Sequence, residues 1–123
     1  MKKFVHNVEE LDVFQRAYKA SLIVHKLTLS FPKIEQYALA DQLRRATKSI
    51  CANLAEGFGK QKDSKKEFAR YVSLSIGSSD ESCVWLQYAG DLGYIDENSM
   101  IELKENYREI SKMLRGLLSA LIY

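Results

Sequence analysis

The chain has 123 residues and a formal net charge of +2, from 18 basic and 16 acidic side chains. That length suits one domain around a single core, the net charge is too small to name a partner, and the ordinary apolar content without a low-complexity tract argues against disorder. No apolar run approaches the ~20 residues a membrane span needs, and Met1–Glu10 has two lysines without the apolar stretch of a secretory signal.

A single proline, Pro32, favours long uninterrupted helices. Asn7-Val8-Glu9-Glu10 fits a capping box, with an Asn oxygen on a helix amide and Glu10 reaching back. The first helix is predicted from about residue 9 to 29, with Leu11, Phe14, Tyr18, Leu22, His25 and Leu29 on its inner face. Ser30-Phe31-Pro32 ends it, because proline disfavours helix at the residue before it.

The second helix, about 35 to 57, organises the rest. Leu39, Leu43, Ala46, Ile50, Asn53 and Leu54 recur at steps of three and four, so they share one face. Beside that row runs a polar one: Gln42, Arg45, Ser49, Asn53 and Glu56. Buried without partners, each such group would cost about 1–3 kcal/mol, so the row predicts a polar network with a neighbouring helix. In an antiparallel hairpin Asp80 and Glu81 fall within reach of Arg45, and Ser75, Ser78 and Ser82 form a small face that admits close approach. Gly57 and Gly59 are expected to stop the helix, glycine being the residue best suited to a left-handed C-cap.

A basic loop follows, and Ser64-Lys65-Lys66-Glu67 is the clearest capping box in the chain. The third helix runs from Phe68 to about Gly90 or Leu92. It is apolar on more than one face through Tyr71, Val72, Leu74, Ile76, Val84, Trp85, Leu86 and Tyr88. A helix apolar on most sides is buried on most sides, which predicts self-association. After the turn Leu92–Asp96, the fourth helix carries the heptad positions Met100, Leu103, Tyr107, Ile110, Leu114, Leu117 and Leu121. Four helices of ~20 residues with short connections predict an all-α, antiparallel up-down-up-down four-helix bundle spanning residues 1–123 as one domain.

That topology gathers Lys2, Lys3, Lys60, Lys62, Lys65, Lys66 and Arg70 at one end, with Lys112 and Arg115 nearby, and sets Asp91, Asp96 and Glu97 at the other. Residues 41–70 carry eight basic and four acidic groups, residues 71–123 the reverse. Lys65 and Lys66 fall in a first helical turn, where the helix dipole disfavours cations. The basic end therefore reads as a phosphate-binding surface, against the blander reading of a solvated helix start. Arg44 and Lys48, mid-helix, stand open between phosphate contact and ion pairing, while Arg45 reads as structural.

Catalytic chemistry is not legible. Cys51 and Cys83 are offset by about 18 Å along the hairpin, beyond the ~7 Å Cα limit of a disulfide, so both read as apolar fillers in a reducing cytoplasm. His6 and His25 belong to no Glu-x-x-His pair or zinc spacing, so no metal is expected; His25 reads as a helix-face residue with a local hydrogen bond. Gly57-Phe58-Gly59-Lys60 is too short for a phosphate-cradling loop. No histidine is placed to activate a serine. Glu56 reads as a half-buried acid in a structural role, with no second group to make it a general base. No enzyme, cofactor or small-molecule substrate is expected.

The chain resembles the small four-helix-bundle family also called the 23S rRNA-intervening-sequence proteins. Phe31-Pro32, Glu35, Tyr37, Leu39, the run Gln42-Leu43-Arg44-Arg45-Ala46, Ser49-Ile50 and the run Asn53-Leu54-Ala55-Glu56-Gly57 carry the likeness. Lys66-Glu67-Phe68, Gly77-Ser78, Glu81 and Leu92-Gly93-Tyr94-Ile95 extend it. Gln42 to Gly57 is its specific part; Ser82-Cys83 departs from it, where the family favours bulkier apolar residues. The resemblance implies a helical bundle, a ring-like homo-oligomer of five, no enzymatic activity and a role in binding nucleic acid. With no aromatic base-stacking motif in the sequence, contacts to RNA would go mainly to phosphate. The alternative is a protein-interaction scaffold or accessory subunit without nucleic acid.

Overall fold

The computed structural model describes residues 5–122. Four long helices follow one another: α1 (Asp12–Thr28), α2 (Leu39–Lys60), α3 (Lys65–Asp91) and α4 (Glu97–Ile122), with short 3-10 turns at Val8–Glu10 and Lys33–Glu35. No strand occurs among the described residues. The helices form the antiparallel bundle that their spacing predicts. α3 packs along the length of both α2 and α4, α1 packs on α2 and more lightly on α4, and α1 and α3 sit diagonally across the bundle.

The core is a layer of Leu43, Ile50, Leu54, Tyr107, Ile110 and Leu114, drawn from the expected rows of α2 and α4, together with Val72 and Leu86 of α3. In α1 the inner face differs from the prediction. Val13, Ala17, Ala20, Ser21, Val24 and Thr28 are buried, whereas Tyr18 is 51% exposed and Leu22 and Leu29 also face outward. Both stripes have helical spacing. The small one lets α1 lie close against α2, and the bulky one would hold it off.

The helix ends also correct the sequence reading. Asn7 caps nothing with its side chain, and Val8–Glu10 is a 3-10 turn that delays α1 to Asp12. Ser64 does cap α3, its hydroxyl accepting the Glu67 amide at 3.2 Å. α2 passes through Gly57 and Gly59 to Lys60, and neither glycine has a positive φ. Gly57 is small for a different reason: a Cβ there would lie 2.5 Å from the Cβ of Tyr71, so the glycine sets how closely α2 and α3 approach. The left-handed cap lies after α3 instead, at Gly93 with φ 79°. There the Tyr94 amide reaches Ala89 O at 2.9 Å and the Gly93 amide reaches Gly90 O at 3.0 Å, the paired bonds of a Schellman motif. Asp96 then starts α4, its carboxylate accepting the Ser99 amide at 2.7 Å and hydroxyl at 3.0 Å; those bonds hold its carboxyl below the usual range.

Candidate nucleic-acid interface

The turn between α2 and α3 is short because the Ser64 cap starts α3 four residues after α2 ends. It therefore projects Lys60, Lys62, Lys65 and Lys66 from adjacent helix ends, all four exposed. None of their ammonium groups makes an ion pair among the described residues. One turn further on, Arg70 is exposed, paired with Glu67 at 3.2 Å and laid over the Tyr71 ring with its guanidinium carbon 4.5 Å from the centroid. Lys60 stands over the same ring at 5.7 Å. The Arg70 hydrogen bond holds the Glu67 carboxyl below its ordinary range.

The charge of this end is narrower than the sequence suggested. Lys2 and Lys3 lie outside the described residues. Glu9, Glu10 and Asp12 begin the helical turns of the N-terminal segment at the same end. Arg115 is turned to Asp80 at 2.9 Å. The unpaired positive charge is thus concentrated on the α2–α3 turn itself.

Arg44 and Lys48 do not join it. Sixteen residues separate Arg44 from Lys60, about 24 Å of helix. Arg44 donates to Thr28 Oγ1 at 3.0 Å, Gln36 Oε1 at 3.1 Å and the Gln36 carbonyl at 2.9 Å, which ties the α1–α2 connection to α2. The Lys48 ammonium donates to His25 Nδ1 at 2.9 Å, a bond from α2 to α1 rather than the local one expected of that histidine.

The polar row of α2 divides. Ser49 and Asn53 are half-buried, but Gln42, Arg45 and Glu56 are exposed. Arg45 does not reach Asp80 or Glu81; its side chain is 78% exposed and pairs with Asp41 on its own helix at 3.0 Å. Asn53 donates to the Ser49 carbonyl of its own helix at 2.9 Å, not to a neighbour. Glu81 is exposed and accepts from Trp85 Nε1 at 3.0 Å. Gln42, Arg45 and Glu56 thus lie on the solvent edge of α2, where exposure removes the need for partners on a neighbouring helix.

The buried polar contacts that α3 makes with α2 and α4 come from small hydroxyls. Ser49 is bonded to Ser78, and Ser75 donates to the Ile50 carbonyl at 2.9 Å. Ser79 donates to the Tyr107 carbonyl at 3.0 Å, and Ser111 bonds Ser79 and Asp80, each at 2.8 Å. The serine spacing of α3 signalled this seam. Nothing in the sequence signalled the Tyr94 hydroxyl donating to Glu35 at 2.7 Å, which joins the two connections at the opposite end and raises the Tyr94 phenol above its ordinary value.

Cys51 and Cys83 are free and half-buried, and burial raises both thiols, Cys51 to about 11. Among the described residues no three His, Cys, Asp or Glu side chains gather as a metal site, and no helix is long and apolar enough to cross a membrane.

A helical bundle with a hydroxyl-lined seam and a lysine turn is the class that fold and site define. The family model described as 23S rRNA-intervening sequence protein matches residues 9–116, and the chain belongs to that family. A similar solved structure is that of a protein of unknown function from the S23 ribosomal protein family of Bacteroides thetaiotaomicron. It is 19% identical, with a TM-score of 0.75 over 86% of this chain and 97% of the other, a likeness of fold. No curated protein matches the chain.

Proposed function

We propose that this protein is a non-catalytic, self-associating helical module of the cytoplasm that holds nucleic acid, RNA foremost, through phosphate contacts at the α2–α3 turn. The observation that carries this reading is the set of four exposed lysines on one turn, unpaired among the described residues. Two of them, Lys65 and Lys66, lie in the first turn of α3, where the helix dipole works against them, a small local cost that a polyanion would offset. Arg70 belongs to the same surface. Arg44 takes a structural part in this reading, and Lys48 lies outside the contact. Free thiols at Cys51 and Cys83 suit a reducing compartment.

The test replaces Lys60, Lys62, Lys65 and Lys66 together by Gln. Binding of a labelled RNA at about 50 mM salt is expected to weaken. The log–log salt dependence, about −0.7 per phosphate neutralised on a single strand, is expected to flatten, with the mass by light scattering unchanged and larger than one chain. Failure of the wild-type protein to retain RNA at that salt overturns the reading.

A second reading, a protein-interaction scaffold, is favoured by one observation: Ile34 and Tyr37, on and after the 3-10 turn before α2, are 83% and 95% exposed. A stoichiometric protein that stays bound at high salt, with no nucleic acid retained, would put this reading first.

A further inference from the structure

Beside the lysine turn the bundle does not close. An open groove of about 990 Å³ lies where the start of α1, the end of α2, the start of α3 and the end of α4 meet. Leu11, Phe58, Phe68, Leu117 and Leu121 wall it, Lys62 and Lys65 stand on its edge, and no carboxylate is among its described lining residues. Phe58 and Phe68 meet edge to face at 5.8 Å and 85°. Phe68 is buried and Phe58 half-buried, so part of the Phe58 ring is accessible.

Gly59 lies on the same groove, and its presence needs explaining. It sits inside α2 with no positive φ, and a Cβ built on it meets nothing within 4 Å. Neither backbone geometry nor packing asks for glycine there, although glycine is less favourable than alanine in a helix. A side chain at Gly59 would add bulk in open space at a position that lines the groove.

An apolar, partly aromatic cleft edged by ammonium groups, with no carboxylate among its described lining residues, matches a ligand with a flat apolar body and an anionic tether. Resting on the proposed RNA contact, we infer that the groove receives an unstacked nucleobase while Lys62 and Lys65 hold the flanking phosphates. The turn would then prefer single strands to duplex, because bases inside a duplex are stacked and paired and cannot enter a cleft.

The test fills the groove without touching a lysine. Gly59→Leu places a side chain where a Cβ has free space, in a backbone conformation that leucine adopts, and Gly59→Ala serves as the small control. Binding is measured by fluorescence anisotropy on a 12-nucleotide single-stranded RNA and a 12-base-pair RNA duplex at the same salt. The wild type and Gly59→Ala are expected to favour the single strand. Gly59→Leu is expected to lose about tenfold on the single strand, the scale of one base–aromatic stack, and to keep its duplex affinity. Equal affinity of the wild type for both probes, equal loss on both, or no loss with Gly59→Leu overturns the nucleobase site and leaves the lysine contact standing. Absence of binding to either probe overturns both.

Discussion

Removing a single oxygen from the core tests the packing most directly. Tyr107 is fully buried between α2, α3 and α4, and its hydroxyl has no hydrogen-bond partner among the described residues. Thr47 lies near enough to act on the phenol, and its hydroxyl donates to the Leu43 carbonyl at 3.0 Å, but no hydrogen bond to the phenol lies within bonding distance. A buried hydroxyl left unsatisfied costs about 1–3 kcal/mol. Tyr107→Phe removes that cost, orphans no partner and forfeits only a few dispersion contacts of about 0.1–0.2 kcal/mol each. The variant should therefore be about 1 kcal/mol more stable, or roughly 3–5 °C in Tm for a chain of this size. The assay is urea unfolding by circular dichroism at one protomer concentration, since the proposed self-association would make stability concentration-dependent. The midpoint should rise with m unchanged. A loss of 1 kcal/mol or more would refute the reasoning, by showing that the phenol is hydrogen-bonded in solution.

Arg44→Met should cost about 2–3 kcal/mol, because three hydrogen bonds from a charged group to Thr28 and Gln36 are lost, whereas Arg45→Met should stay within about 0.5 kcal/mol, its pair with Asp41 being solvent-exposed; chemical denaturation of both separates a structural from a surface arginine. Gly57→Ala should destabilise by about 1–3 kcal/mol through the clash with Tyr71, and Gly59→Ala should stabilise by about 0.5–1 kcal/mol through helix propensity alone, both read from thermal melts. Burial raises the Cys51 thiol from 9.0 to about 11. The folded state thus keeps a proton that the unfolded chain releases, and the stability involved is complete below pH 9 and lost as pH rises toward 11. Cys51→Ala should flatten the pH dependence in that window.

The fold was legible because it depends on periodicity. The inward residues of α2 and α4, Leu43, Ile50, Leu54, Leu103, Tyr107, Ile110 and Leu114, keep helical spacing, and the Ser64 cap is local chemistry that no distant contact overrides. Other features were decided by choices that a one-dimensional pattern does not contain. Helical spacing put Tyr18, Leu22 and Leu29 on the inner face of α1, yet close approach to α2 selects Ala17, Ala20 and Val24. Gly57 carries no local sign that it faces Tyr71 rather than ending a helix. Arg44 and Arg45 are adjacent and chemically alike. About 100° of helix rotation gives the first to the α1–α2 connection and the second to water. The lysines of the candidate site could be read from the sequence because they lie within seven residues of one another. The groove could not, since four separated segments build it.

The outward apolar residues bear on how the proposed assembly and the proposed contact coexist. Tyr18 and Leu22 project from α1, and Leu74, Val84 and Tyr88 project from α3. Because α1 and α3 are diagonal across the bundle, these are two separate flanks on opposite sides of it. Association of one flank with the other joins two different surfaces, and repeated contacts of that kind close into a ring when the rotation between copies permits. The lysine turn lies at the end of the helices, off both flanks. In a ring built through the flanks every copy would present its turn and groove at the same rim. The modest charge of one chain would then be multiplied along a circle, while each groove stays open to its own unpaired base. On this view the bulky outer stripe of α1 and the missing side chain at Gly59 answer the same requirement, one covering the sides of the bundle and the other keeping its end accessible.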